Sequence, residues 1–292
     1  MGKAKNAKAV ERKRKKLLAL QAAKRVEESI AKANAVDDPL AGLEPFLAFD
    51  VAPKPAKTGA PAADRVELPS PSSCADVSAD LTGVGNDTES AKRSMPVGIP
   101  AKVTFHPSPL PTDLHDACLH LFESNMADMY RDSSWGLDLE EKSNELRHET
   151  ARFLIVEACS SSSDSTSTSG GDTVNEETGG DSRRDILAFS HFRFEPNDED
   201  KPTEEVLYVY EVQVSDAAQR SGLGKRLMNV MELVALRQGM KKVMLTVFKN
   251  NQRAMAFYLE KMKYVIDETS PSNFDGEEAD YEILSKTIGT RA

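Results

Sequence analysis

Residues 206–214, Val-Leu-Tyr-Val-Tyr-Glu-Val-Gln-Val, read as an alternating apolar segment, the period of a strand with two unlike faces. After a short polar turn, Leu223, Leu227, Val230, Met231 and Val234 recur three and four residues apart, so they share one face of a helix running to about Gln238. Gly239 follows, where glycine enters the left-handed cap conformation without steric penalty. Residues 243–248 are apolar without alternation, as expected of a strand buried on both faces. Strand, crossover helix and strand predict a parallel pair joined in the right-handed sense.

The flanking chain is read the same way. Residues 103–106 predict a first strand. After Pro111, Leu114, Cys118, Leu121, Phe122 and Met129 fall at helical spacing, with Asp113 as candidate N-cap. His115 and His120 on this helix are read as surface or packing residues, and no metal site is expected. Residues 152–157 and 185–195 predict a hairpin, and 264–267 and 281–285 two last strands. Upstream, 7–34 predict a long helix rich in Ala, Lys, Arg, Glu and Leu. Leu40, Leu43, Phe46, Leu47 and Phe49 give the next segment enough apolar surface to dock.

Composition divides the chain. Residues 53–100 are rich in Pro, Ala, Ser, Gly and Asp, and 160–184 are mostly Ser, Thr, Gly and acidic residues, so both are expected to be disordered insertions. The expected organisation is a basic helical arm (1–34), a docking segment (35–52), an insertion (53–100), one α/β domain with a mixed sheet (101–286, interrupted by the loop 160–184) and a tail (287–292).

Charge is unevenly spread. The formal net charge is −10, yet residues 1–25 carry ten Lys or Arg against Glu11 alone, so the body is strongly acidic. An acidic body suits a basic partner, although solubility charge has the same composition. The cluster from Arg12 to Lys16 suits nuclear import or a nucleic-acid contact, or a solvated helical arm. Met1-Gly2 opens like a myristoylation site, but Asn6 stands where Ser or Thr is wanted. Cys74, Cys118 and Cys159 are odd in number and without zinc spacing, which fits a reducing compartment and neither disulfides nor a structural metal. No apolar run is long enough for a bilayer, and a soluble monomer is expected.

Gly222 and Gly224 stand where the central helix begins. A glycine-bearing helix start offers unpaired amides and partial positive charge, to which a pyrophosphate can approach closely; a plain helix N-terminus would look the same. The pattern Gln219-Arg220-Ser221-Gly222-Leu223-Gly224 after a strand, followed by Asn251-Gln252-Arg253-Ala254 and Tyr258, resembles the acetyl-CoA signature of the GNAT N-acetyltransferase superfamily. Residues 189–194, 210–213, 243–249 and 281–285 further resemble the NatD-type N-alpha-acetyltransferases, which modify histone N-termini; the resemblance covers about 101–286, with a weaker match at 38–40.

That resemblance implies a GNAT fold and direct transfer of acetyl from acetyl-CoA, with no metal, to the alpha-amine of histones of the four and two-A types, which begin Ser-Gly-Arg-Gly. It implies that Val212, Gln213, Val214, Gln219, Arg220, Ser221, Gly222, Leu223, Gly224, Lys225 and Asn251 hold the co-substrate, Asn251 having N-cap as its plainer role. Tyr130, Trp135, Tyr210, Thr246 and Tyr281 become peptide contacts, where residue chemistry alone would favour core for Trp135. Nucleus and cytoplasm are the expected locations, with ribosome or nucleic acid as further candidate partners of the arm.

An N-terminal ammonium has a pKa of about 8, so a carboxylate can take its proton without extreme tuning. Glu211 is the first candidate base, expected on the face opposite Tyr210 and Val212; a strand Glu exposed to water or paired with Arg193 is the alternative. Glu195 occupies the place where NatD-type enzymes carry an Asp, and Asp198 or Glu199 are substitutes in space. Tyr258 is a candidate general acid or an amphipathic core residue. The acidic stretch 264–285, without Lys or Arg, is the candidate grip on a basic peptide. Two rivals remain: an acetyltransferase for lysine side chains or polyamines, whose amine would demand a stronger base, and a catalytically silent acyl-CoA-binding module.

Overall fold

A computed structural model describes residues 2–51, 98–159, 184–198, 202–274 and 278–289, with 2–13 as backbone only. Both expected insertions therefore lie outside the described residues, apart from 98–100 and Arg184, as do Cys74, Glu199, Asp275 and Glu277. The long helix α1 (Gly2–Asn34) leads into β1 (Ala48–Val51) and β2 (Ile99–Pro107). Helices α2 (Thr112–Arg131) and α3 (Leu139–Leu146) precede the strands β3 (Arg152–Ala158), β4 (Ile186–Pro196) and β5 (Glu205–Val214). Then come α4 (Leu223–Arg237), β6 (Lys242–Phe248), α5 (Gln252–Ala256) running into a π-helical turn (Phe257–Lys261), β7 (Val265–Ile266) and β8 (Tyr281–Thr287).

The strands form one mixed sheet in the order β1-β2-β3-β4-β5-β6-β8-β7. Every pairing is antiparallel except β5 with β6, the predicted crossover pair. On one face, Leu207 and Val209 of β5 pack with Leu227, Met231 and Val234 of α4, so the three-and-four spacing of α4 is a buried stripe. Gly239 has φ +77, the left-handed conformation its place after α4 predicted. On the other face, Leu114 and Phe122 of α2 and Leu146 of α3 bury Phe153 and Phe189.

Several boundaries differ from expectation. The strand expected at 103–106 is longer, because β1 from the docking segment pairs with it (Ala48 opposite Lys102). Asp113 is not the cap of α2: Pro111 holds that position, and Asp113 lies in the first turn, paired with Arg184 at 2.7 Å. The last turns of α1 are docked rather than solvated. Val26 and Ala33 are buried, and the Asn34 carbonyl accepts a 2.6 Å hydrogen bond from Arg152. Helix α3 carries only a local signal, the Asp138 side chain capping the amides of Glu140 and Glu141 at 2.9 Å.

One irregularity positions the site. Between β4 and β5 the register pairs His191 with Glu211 and Phe192 with Val209, so Tyr210 is an extra residue, a β-bulge. At the same level β5 leaves β6: their pairing ends at Val209 and Leu245. Beyond it β5 stays with β4 as far as Val214, and β6 stays with β8 as far as Phe248. A wedge opens in the middle of the sheet.

Candidate active site

A cavity of about 1010 Å³ fills that wedge. Its floor is β5 from Tyr208 to Val214, whose backbone beyond Val209 has lost its β6 partner, and its far wall is Thr246, Val247 and Phe248 of β6. An unpaired strand edge inside a cleft accepts an extended chain by strand addition. The N-terminus of α4 closes one end, with Gln219, Arg220, Gly222, Leu223, Gly224, Lys225 and Asn251 on the wall.

Local sequence explains this end. Gly222 occupies the N-cap of α4 at φ +92 with no side-chain cap, so the first-turn amides are left to whatever enters. A Cβ at Gly224 would stand 3.7 Å from the Phe257 ring, so the missing side chain leaves room between α4 and the π-helical turn. The residues present fit the diphosphate of an acyl-CoA: bare amides, the positive end of a fifteen-residue helix, and Arg220, Lys225, Arg253 and Lys261 around the wall. Asn251 caps α5 through Ala254 N at 3.1 Å, its plainer role. Ser221 departs from expectation: its hydroxyl donates to the Ala218 carbonyl at 2.5 Å, and it lines a separate, smaller cavity.

At the level of the bulge sits Glu211, 5% exposed. The expectation that it faces away from Tyr210 is wrong, because strict alternation fails at a bulge. His191 pairs with Glu211 and stacks on Tyr210 at 4.8 Å, so all three share the face toward α2 and α3. Val212 is on the opposite face as expected, packed against the α4 side. Nor is Glu211 an exposed strand residue or a partner of Arg193. Its Oε1 accepts from Lys142 at 2.9 Å and its Oε2 from Gln213 at 2.7 Å. Asn125 fixes Gln213 in turn, donating to its side-chain Oε1 at 2.9 Å and to the Val214 backbone carbonyl at 3.1 Å. The Gln213 side chain is thus a support for Glu211.

Lys142 comes from α3, is 7% exposed, and also donates to Glu145 at 2.8 Å. Burial works against its charge, yet Glu211 and Glu145 outweigh that and raise its pKa above the usual lysine value. Burial lifts the Glu211 carboxyl above the ordinary range while Lys142 pulls it back. Glu145 moves the other way: burial is outweighed by His191 and Lys142, leaving it at about 2. Burial pushes His191 down to about 4, so it is neutral at physiological pH. Its Nδ1 is 3.7 Å from Glu145, too long for a hydrogen bond, so Lys142 carries most of the stabilisation of Glu145.

The other expected residues divide. Tyr258, on the π-helical turn, lines the cavity, and burial, then Glu211, raise its phenol pKa well above the usual value. Tyr210 lines it too and donates to Glu195 at 2.7 Å. Glu195 therefore stands behind Tyr210, off the cavity wall. Tyr130 and Trp135 form an aromatic rim with Phe248, ring centroids 5.1 Å from Phe248 in both cases, and Trp135 is half exposed. Thr246 reaches the wall and shares a 2.5 Å hydrogen bond with Tyr208. Tyr281 lies behind Trp135 at 5.2 Å, outside the cavity lining.

The acidic stretch 264–285 is mostly spent on the protein itself. Asp267 is buried and accepts from Thr269; Glu282 is buried and accepts from Ser270 and Ser272. Asp280 accepts from Ser134 N at 2.6 Å, tying the Trp135 loop to β8. No group of side chains suited to a metal ion occurs among the described residues, and no described helix is long and apolar enough to cross a membrane.

Residues 162–264 match the family model described as Acetyltransferase (GNAT) family. Solved structures with a similar fold include the NatC complex bound to Gag peptide and CoA (13% identity, 64% of this chain and 99% of that chain, TM-score 0.41). Others are Arabidopsis thaliana NAA60 in complex with a bisubstrate analogue (14%, 64% and 98%, TM-score 0.41) and Ard1 from Thermoplasma volcanium (14%, 64% and 99%, TM-score 0.40). The chain has the mixed α/β fold that the sequence predicted, and the GNAT family model matches residues 162–264 of it.

Proposed function

We propose that this chain, whose residues 162–264 match the GNAT acetyltransferase family model, is an acetyl-CoA-dependent N-alpha-acetyltransferase for histone N-termini of the Ser-Gly-Arg-Gly type. One observation carries the reading: the wedge between β5 and β6 has the bare N-terminus of α4 at one end and, within it, a buried carboxylate, Glu211.

Acetyl-CoA supplies the activated acyl group as a thioester. The α4 amides and the basic side chains around them hold its diphosphate, and the free edge of β5 at Val212 and Val214 pairs with the arm. Glu211 takes the proton from the incoming ammonium; its raised pKa brings it nearer the amine's value of about 8 than an ordinary carboxylate. The free amine then forms the new nitrogen–carbon bond as the carbon–sulfur bond breaks. Tyr258, protonated throughout the neutral range, hands its proton to the departing sulfur and regains one from the newly bonded nitrogen, which sheds its second proton as the amide forms. Glu195 acts through Tyr210, holding its phenol. Tyr130, Trp135 and Thr246 shape the mouth for a slender peptide end, with Tyr281 backing Trp135. Tyr258→Phe is expected to lower kcat by about tenfold or more with little change in KM for acetyl-CoA; unchanged turnover in a steady-state assay removes Tyr258 from the mechanism.

The deciding experiment offers acetyl-CoA with Ser-Gly-Arg-Gly peptides whose amino end is free or blocked, reading thiol release and the acetylated position by mass. Acetylation confined to the free alpha-amine supports the proposal. Acetylation of a lysine in the blocked peptide replaces it with the side-chain reading, and absence of thiol release with any peptide or polyamine replaces it with the silent-module reading. Action as a monomer in nucleus and cytoplasm, with the basic arm meeting ribosome or nucleic acid, completes the proposal. The helix register of Leu17, Leu18 and Leu20, all exposed beside Arg14, Lys15 and Lys16, leaves that stretch of the arm free for such a contact.

A further inference from the structure

Lys142 is a buried lysine inside the active cavity for which acetyl transfer by Glu211 and Tyr258 has no use. Its ammonium is shared between two carboxylates, Glu145 on its own helix at 2.8 Å and Glu211 of β5 at 2.9 Å, and its remaining side rests on the Phe122 ring at 4.8 Å. A cation in this place cannot be a substrate grip, since its donors are turned to protein. A lysine facing two carboxylates in a low-dielectric pocket leaves one negative charge for three ionised groups; without it, two carboxylates would share the pocket uncompensated, and one would hold a proton.

We propose that Lys142 is a positioning residue for the base: clamped by Glu145, it fixes the Glu211 carboxylate toward the cleft and keeps it ionised. This rests on the proposed role of Glu211. The groups facing Glu211 agree with the assignment. Helix α3 offers Lys142 and Glu145, and α2 offers the phenol of Tyr130, whose pKa burial raises to about 12. Strand β4 contributes neutral His191, with Arg193 beyond it donating from Nε to His191 Nε2 at 3.3 Å and from Nη2 to the Glu145 carbonyl at 2.8 Å. Strand β5 contributes Tyr210 and the amide of Gln213, and the π-helical turn the phenol of Tyr258. Of these groups only Lys142 places a cation in hydrogen-bond contact with Glu211. Arg193 is turned instead to His191 and the Tyr210 ring, 4.3 Å from its guanidinium.

The test follows the Glu211 carboxyl by carbon-13 NMR in the full chain labelled at glutamate, its signal identified by its loss in Glu211→Gln, alongside the pH profile of kcat/KM. Lys142→Met is expected to raise the Glu211 midpoint by about one pH unit or more, with Lys142→Arg restoring it. Glu145→Gln removes the repelling carboxylate and is expected to move the midpoint down, a sign that damaged packing would not give. Should Lys142→Met fail to fold, Lys142→Gln, which keeps a hydrogen-bond donor and removes the charge, takes its place with the same expected rise. A midpoint that stays in place, or moves the same way in both variants, overturns the proposal. If the midpoint moves as stated while the acid limb of kcat/KM stays fixed, the role of Lys142 stands and Glu211 as base is what fails.

Discussion

Glu211→Gln will lower kcat/KM for a free N-terminal peptide by about a hundredfold to ten-thousandfold at neutral pH, the usual contribution of a positioned general base. Glutamine keeps the size of the side chain and an oxygen for Lys142, which retains Glu145 as its ionic partner; its new amide faces the Gln213 amide and disturbs that one contact, while the α4 end is left as it is. Binding of acetyl-CoA, read by calorimetry, is therefore expected to change by less than about threefold. The amide cannot take a proton, so the amine must arrive already neutral. Turnover of the variant should then climb with pH until the peptide's own amine has lost its proton, at about pH 8. The unaltered enzyme should instead lose activity only on the acid side, as pH falls through the Glu211 pKa. A variant with near-normal kcat/KM at pH 7 would move the base elsewhere, Glu195 acting through Tyr210 being the next carboxylate in line.

The crossover unit was legible because its signals are local and redundant. Periodicity, the glycine at the α4 cap and the apolar run of β6 each point to the same parallel pair, and the structure contains it. The Gly222–Gly224 end of the site was legible for the same reason. What stayed hidden depends on register. A bulge adds one residue on one strand against its partner, so the pattern around Tyr210 and Glu211 reads as plain alternation and implies opposite faces that the two residues do not have. Lys142 was hidden by composition: in the run Leu139–Leu146 it is one charge among several, and only the packing of α3 against β5 turns it inward to Glu211. The acidic stretch before β8 misled in the opposite direction. Its charges count as a surface in sequence, whereas Asp267 and Glu282 are consumed by neighbouring hydroxyls and amides.

The two glycines at the α4 end are expected to fail in different ways when substituted, because they are there for different reasons. Gly222 has φ +92 and open space where a Cβ would go, so what it provides is a backbone conformation. Gly222→Val forces a β-branched residue into the left-handed region at a cost of about 1–3 kcal/mol, which lowers the thermal midpoint and, by re-aiming the first-turn amides, weakens acetyl-CoA binding as well. Gly224 has no such φ, and its Cβ would stand 3.7 Å from the Phe257 ring, an ordinary contact distance. Alanine there should be tolerated. The branched methyls of Gly224→Val have only the Phe257 ring and the cavity to occupy, so the variant should fold with a near-normal midpoint while KM for acetyl-CoA rises by about tenfold to a hundredfold, or about 1.4–2.8 kcal/mol. Scanning calorimetry and steady-state kinetics on both variants separate the two effects. If Gly224→Val binds acetyl-CoA as tightly as the parent while folding normally, the co-substrate does not lie across the mouth of α4, and the wedge between β5 and β6 must be filled from another direction.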